Sequence, residues 1–213
     1  MEGENLLSGG KRHANTCLLT FVALDADHRP CTVRPVEFVG AEGEGRSREG
    51  RRRREVREAL DKANAHTGPG KHAYVANYMF PEGRTVSGHK EALAQLCEIL
   101  PAMGAKQAKM LPVSGAFHTP LMGAASRALG EALDAADVRM PSIAVYSNVS
   151  GAPYTGVEEI RWLLKRQLVE PVQWEQGTRH LAGSGLCSEY VEVGPGRQLK
   201  AMMRRIDQNA WSN

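Results

Sequence analysis

The residues most able to do chemistry stand at positions 114–120, which read SGAFHTP. This stretch follows a predicted strand over residues 108–113 and precedes a predicted Ala-rich helix over residues 122–136. In α/β folds, ligands bind at the carboxyl ends of the strands, so His118 lies where a catalytic base would be useful. A single histidine is also a common structural or surface residue, and position alone leaves both interpretations open.

A second candidate site is the turn 194–196, which reads GPG after a predicted strand and before a predicted helix. The backbone at Gly194 and Gly196 can approach a ligand closely, and the N-terminus of a helix favours an anion. The turn is not a G-x-G-x-x-G motif. A tight structural turn is the simpler interpretation of it.

The elements that must position these residues alternate between strand-like and helix-like spacing. Strands are predicted over residues 73–78, 84–88, 108–113, 143–146 and 189–193. Helices are predicted over residues 91–99, 122–136 and 158–168, with a last helix that runs through Ile206. This alternation predicts an α/β fold with a largely parallel sheet.

Composition restricts the class of protein. The chain has 213 residues, 42% of them hydrophobic, which suits one domain or a domain with a small subdomain. A net charge of +3 does not indicate a nucleic-acid-binding protein, and no apolar run is long enough for a membrane helix. The four cysteines form no C-x-x-C pair, so we expect free thiols rather than a metal site or a disulfide framework.

Three segments are predicted along the chain. Residues 1–39 hold a hairpin-like pattern, with a strand over 17–24, a turn over 25–30 and a further extended stretch over 31–36. Residues 40–54 are rich in Gly and Arg and predict a linker or solvated loop. The run of arginines at 51–54 is also compatible with an acidic partner, a nuclear signal or the start of a solvated helix. Residues 55–213 form the α/β part.

Several blocks in the α/β part together resemble malonyl-CoA:acyl-carrier-protein transacylases of the mitochondrial type, in the order and spacing of that family. The resemblance runs from about residue 55 to residue 211 and corresponds to the C-terminal part of the family. The matching blocks are VANY at 75–78, VSGH at 86–89, LPVSGAFHTPLM at 111–122, VYSNV at 145–149, RQLVEPVQWE at 166–175 and VEVGPGRQL at 191–199.

The resemblance implies an S-malonyltransferase of fatty acid biosynthesis, which moves malonyl from CoA to the phosphopantetheine thiol of an acyl carrier protein. A serine is the nucleophile in such enzymes and a histidine, matching His118, is the base. Gln167 matches the glutamine whose backbone carbonyl orients that histidine, and Asn77 matches an asparagine near the acyl pocket. Gly194 and Gly196 are implied to bind substrate.

The resemblance further implies an α/β-hydrolase-like large subdomain, of which residues 116–213 are the remainder, and a ferredoxin-like small subdomain at about residues 72–115. It implies malonyl-CoA and acyl carrier protein as partners, with no nucleic acid, membrane, metal or cofactor. The location implied is the mitochondrial matrix, and the cytoplasm is the alternative.

Two departures from the family keep other functions open. The sequence holds no G-x-S-x-G motif for the nucleophile, and nothing matches the upstream arginine that holds the malonyl carboxylate or the upstream glutamine of the oxyanion hole. A catalytically inert fragment or chimera that binds CoA or acyl carrier protein is therefore one alternative. Residues 16–36 weakly resemble the end of an acyl-CoA thioesterase hot-dog domain, which makes a thioesterase the second alternative. Without the central strands of the family, we also expect unpaired edges and a chain that aggregates or depends on a partner.

Overall fold

The computed structural model describes residues 15–21, 41–185 and 189–208. The strands are β1 (Asn15–Phe21), β2 (Ala73–Phe80), β3 (Gly83–Gly88) and β4 (Ala105–Leu111). The helices are α1 (Ala41–Thr67), α2 (Lys90–Ile99), α3 (Gly123–Ala135), α4 (Val157–Arg166), α5 (Trp174–Gly183) and α6 (Gln198–Ile206). Contacts divide the chain into two compact units. One has the described residues up to Tyr74 together with Val86–Ala116, and the other has Val75–Thr85 and the described residues from Phe117 onward.

The four strands form one sheet in the order β2-β3-β1-β4. With α1 and α2 between them, the elements follow the order β-α-β-β-α-β of a ferredoxin-like fold. β1 lies inside the sheet and pairs antiparallel with β4, with Thr16 opposite Leu111 and Leu19 opposite Ala108. The described elements therefore have a ferredoxin-like order, and the first strand, β1, comes from the N-terminal segment. The bounds expected for the small subdomain, about residues 72–115, stay a prediction.

The expectation of a largely parallel sheet is wrong for the described residues. β2 and β3 are neighbours joined by only Pro81 and Glu82, which makes them a hairpin, and β1 and β4 are antiparallel. Outside the sheet, an isolated bridge between Asn77 and Val172 is parallel. Strands joined by helices can be parallel, but here the sheet splits each such pair by inserting another strand.

Helix α1 replaces the linker predicted at residues 40–54, since it runs from Ala41 to Thr67. The glycines of this stretch suggested a linker, but its many Glu and Arg residues are good helix formers. The later turns bury Val56, Ala59 and Ala63 at helical spacing, and α1 packs against α2. The extended stretch predicted at 31–36 lies outside the described residues.

Each unit has its own apolar core. In the first, Leu93, Leu96 and Leu100 on the apolar face of α2 are fully buried, together with Val86 of β3. In the second, α4 buries Ile160 and Leu163 and α6 buries Met203 and Ile206. No helix in the described part of the chain is long and apolar enough to cross a bilayer.

Two predicted strands, over residues 143–146 and 189–193, are not strands in the structure. Within the first, only Tyr146 forms a bridge, to Pro153. A strand needs a hydrogen-bonded neighbour along its length, and among the described residues the first segment has only this short pairing and the second forms no bridge. The valines at both places are exposed as a result, with Val193 93% accessible. Helix α5 was not predicted, because Gly177 and Gly183 weaken its pattern.

Candidate active site

The loop that carries His118 is held against the C-terminal end of α4 by two hydrogen bonds. His118 donates its backbone N–H to the Leu168 carbonyl at 3.0 Å. Its ring Nδ1 lies 2.6 Å from the Gln167 carbonyl oxygen. Since a carbonyl oxygen only accepts, Nδ1 is the ring donor, and in the neutral imidazole Nε2 is left as an acceptor. The ring is therefore oriented and set in one tautomer.

The end of α4 explains why its carbonyls are available to the histidine loop. The last carbonyls of a helix have no partner within the helix. Here the Lys165 carbonyl accepts from the Ser126 hydroxyl at 2.9 Å, and the Arg166 carbonyl accepts from the N–H groups of Val169 and Glu170. The next two carbonyls accept from His118. The ordinary need to cap a helix thus positions a candidate base.

His118 has φ +63°, and it is the one non-glycine residue with positive φ in the described part of the chain. This left-handed conformation costs an L-residue about 1–2 kcal/mol, so the surrounding contacts must impose it. The neighbouring Ala116 and Thr119 are both buried, at 3% and 0% exposed, while His118 itself is half-buried. A strained and partly accessible histidine is typical of a functional position.

Asn77 lies in β2, and its link to the His118 region runs through the backbone. Val172 donates to the Ala76 carbonyl at 2.8 Å, and Tyr78 donates to the Val172 carbonyl at 2.8 Å. These two bonds place Asn77 beside the segment that follows Gln167. The side chain of Asn77 is half-buried. Its predicted place near an acyl group stays a prediction.

The turn at 194–196 does not offer an open helix N-terminus. Gly194 and Gly196 have φ of 137° and 100°, so both need glycine, and both are exposed. The Glu192 carboxylate accepts from the N–H groups of Leu199 and Lys200 at 3.1 and 3.0 Å. These two bonds, the Lys200 one first, lower the pKa of Glu192. The anion at the start of α6 is therefore the chain's own carboxylate, and substrate binding by the two glycines stays a prediction.

The sequence analysis did not predict a buried ion pair in the second unit. Arg84 of β3 and Glu175 of α5 are each 3% exposed in their side chains, with Arg84 Nη2 at 3.4 Å from Glu175 Oε2. Arg179 lies 3.2 Å from the other carboxylate oxygen. Arg84 also donates to the Gly83 carbonyl at 2.8 Å and lies over the Tyr78 ring. An arginine within a strand that is buried throughout was the available signal for this pair.

The described residues hold no group of three His, Cys, Asp or Glu that could bind a metal ion. Among the cysteines with described side chains, Cys97 is not in a disulfide. The structure thus brings His118 and Gln167 into contact, while Asn77 is bridged to Val172, further along the chain.

The chain was compared in sequence and in structure with known proteins. No family model matches the chain. A Homo sapiens protein, malonyl-CoA-acyl carrier protein transacylase, mitochondrial, is 44% identical over 144 residues, which cover 65% of this chain and 36% of that protein. The malonyl CoA-acyl carrier protein transacylase of Escherichia coli (strain K12) is 34% identical over 148 residues, covering 70% of this chain and 48% of that protein.

A solved structure of an acyl-carrier-protein S-malonyltransferase from Burkholderia pseudomallei 1710b matches with a TM-score of 0.71 and 28% identity, over 92% of this chain and 53% of that one. The chain spans between about a third and about a half of the length of these relatives. The partial coverage fits the C-terminal part that the sequence blocks indicated. In sequence and in α/β fold, the chain is similar to part of the malonyl-CoA-acyl carrier protein transacylases.

Proposed function

We propose that this chain acts as an S-malonyltransferase of acyl carrier protein, with His118 as its base. The observation that carries the proposal is the contact between His118 Nδ1 and the Gln167 carbonyl. It leaves Nε2 as the atom that takes a proton, at a position matched to the base of the family. Sequence similarity to the Homo sapiens and Escherichia coli transacylases supports malonyl as the group transferred.

In the proposed reaction, His118 Nε2 accepts the proton of a serine hydroxyl while the serine oxygen attacks the malonyl thioester carbonyl. The C–S bond breaks, and the CoA sulfur leaves with the proton returned by Nε2. The products are a malonyl ester of serine and free CoA. The same nitrogen then takes a proton from the phosphopantetheine thiol, whose sulfur attacks the ester carbonyl. The ester C–O bond breaks and Nε2 returns the proton to the serine oxygen, which leaves malonyl on the thiol and restores the serine.

Gln167 is a positioning residue in this scheme, since its carbonyl holds the ring and touches no reacting atom. Because the bond uses the backbone, substitution of the Gln167 side chain leaves the carbonyl in place. The two bonds of Val172 to β2 support the same segment from the other side. The base therefore depends on main-chain geometry more than on neighbouring side chains.

The sequence contains no G-x-S-x-G motif to mark the nucleophilic serine. This absence favours a second candidate, an inert relative that binds CoA or acyl carrier protein. The names of the relatives also support acyl carrier protein and malonyl-CoA as partners, and the mitochondrion as the compartment. We propose the matrix as the site of action, to be checked by fractionating mitochondria and probing for the chain.

Intact-mass measurement after incubation with malonyl-CoA tests the proposal. An added malonyl group that acyl carrier protein then removes supports transfer, and peptide mapping names the nucleophile. His118→Ala should slow loading, whereas His66→Ala, at an exposed histidine of α1, should not. If a folded chain gains no mass but binds CoA or acyl carrier protein by calorimetry, the second candidate replaces the first.

A further inference from the structure

Helices α3 and α4 hold each other's C-terminal ends. From α3, the buried Ser126 donates its hydroxyl to the Lys165 carbonyl in the last turn of α4, at 2.9 Å. From α4, Arg161 donates to the carbonyls of Leu133 and Ala136 at the end of α3, the latter at 2.8 Å. The last carbonyls of a helix have no partner within that helix. Each of the two helices therefore supplies a partner for the end of the other.

One of these two contacts lies beside the candidate base. His118 stands five residues before Gly123, the first residue of α3, and Gln167 directly follows the last residue of α4. The bond from Ser126 to Lys165 therefore joins the helices next to the contact of the histidine ring. Leu133 is seven residues beyond Ser126, which is about 10 Å further along α3 at the rise of an α-helix.

The two helices approach closely at Lys165. Gly130, one turn after Ser126 on α3, is buried, and a Cβ added there would lie 3.0 Å from Lys165 Cε. The side chain of Lys165 thus lies against α3 while its carbonyl accepts from the hydroxyl. Close packing leaves little room for adjustment at such a place. The backbone of α4 is therefore fixed against α3 only two residues before Gln167.

We propose that Ser126 is a positioning residue for His118. Its hydroxyl fixes the end of α4, and with it the Gln167 carbonyl, where His118 Nδ1 meets it at 2.6 Å. Without the hydroxyl, the carbonyl can move away from Nδ1, and the ring can then adopt either tautomer. A ring with its proton on Nε2 cannot take a proton there from a nucleophile. The catalytic consequence rests on the proposed function, whereas the effect on the ring does not.

Long-range proton–nitrogen correlation spectra of the full chain show which ring nitrogen carries the proton. They are recorded at an alkaline pH, where imidazole is ordinarily neutral, and His118→Ala assigns the signal by its loss. In the parent chain we expect a protonated Nδ1 and a bare Nε2. In Ser126→Ala the two nitrogen shifts should move toward each other, because the tautomers interconvert. The variant should also slow malonyl loading about tenfold at saturating malonyl-CoA, with KM unchanged.

Two further variants separate positioning from a general loss of stability. Ser184→Ala removes an exposed hydroxyl that donates to the Leu181 carbonyl at 2.7 Å, at the end of α5. Arg161→Met removes the contacts at the far end of α3. Both variants should keep the ring signals of the parent chain. Ser126→Ala itself should fold, since alanine is the residue that most favours a helix.

Ring signals in Ser126→Ala that match those of the parent chain would overturn the proposal. An equal change of the ring signals in Arg161→Met would do the same, because it would indicate loosening of the whole helix pair. If the parent chain takes up no malonyl but Ser126→Ala still changes the ring signals, the proposed function fails and the positioning stands. If the parent chain is loaded and Ser126→Ala is loaded equally fast, Ser126 does not position the base for the reaction.

Discussion

The buried ion pair between Arg84 and Glu175 gives the sharpest test of how the second unit is held together. We consider three variants: Arg84→Met, Glu175→Met and the double variant. Both side chains are 3% exposed, and Arg84 Nη2 lies 3.4 Å from Glu175 Oε2. That oxygen has no hydrogen-bond partner among the described atoms, so the contact is one of charge. At an effective dielectric constant near 20, its attraction is about 5 kcal/mol before desolvation is subtracted.

Removing one partner leaves the other charge buried, which typically costs about 3–5 kcal/mol. Arg84→Met should lower the free energy of unfolding by about 3 kcal/mol, the lower end of this range, because Arg179 still pairs with Glu175 at 3.2 Å. Glu175→Met should cost a similar amount, because Arg84 keeps its bonds to backbone carbonyls. The double variant should lose about 2–3 kcal/mol less than the sum of the single variants, since neither charge then remains.

Urea unfolding of the three variants measures these differences, and hydrogen exchange at the Val172 and Tyr78 amides reports the local effect. These amides close the bridge between β2 and the segment before α5. Lys71→Met is the control, because its ion pair with Glu91, at 2.9 Å, is exposed to solvent and screened. It should reduce the free energy of unfolding much less than either single variant of the buried pair. If the single variants lower the free energy of unfolding no more than this control does, or if their losses add up to that of the double variant, the buried pair does not stabilise the unit.

Three further predictions follow from backbone conformation and charge. In denaturant unfolding, His118→Gly should be more stable than His118→Ala by about 1 kcal/mol. Both variants lose the hydrogen bond to the Gln167 carbonyl, but only alanine keeps a Cβ at φ +63°. Equal unfolding midpoints would argue against backbone strain. The pKa of Glu192 is lowered from 4.5, so its stabilisation of α6 is present above pH 4.5 and is lost as the pH falls through the lowered value. Exchange of the Leu199 amide should rise over that range in the parent chain and be insensitive to pH, after correction for intrinsic exchange, in Glu192→Gln. Gly88→Ala should destabilise the first unit by about 1–3 kcal/mol in a thermal melt, because a Cβ there collides with the His72 carbonyl. Gly156→Ala is the control, since a Cβ at that position meets no other atom.

The elements with strong local patterns were predictable. Helix α2 has its apolar residues at helical spacing, and the helices α3 and α4 begin and end within two residues of their predicted bounds. Strands were predicted on both sides of Pro81 and Glu82, where β2 and β3 lie, but their pairing as a hairpin was not predicted. These features depend on near neighbours in sequence, which is the information a single chain displays most directly.

Features that depend on distant partners were not predictable in the same way. Residues 189–193 have the composition of a strand, but pairing needs a neighbour that the described residues do not provide. The cap on α6 comes from Glu192, which stands beyond the usual capping positions and leaves no local signal. At the candidate site, His118 and Gln167 were identified through family resemblance, and their 2.6 Å contact joins residues 49 apart in sequence.

The inner position of β1 has a practical consequence for anyone who trims this protein. A shortened version that begins at about residue 55, where the sequence blocks start, would lack β1, the strand that separates β3 from β4. Such a version would open a slot in the middle of the sheet, with donors and acceptors exposed along two strands instead of one. Backbone pairing recognises extended chain more than it recognises side chains. The slot would therefore accept foreign peptides, and expression tags or neighbouring molecules would be the first to fill it.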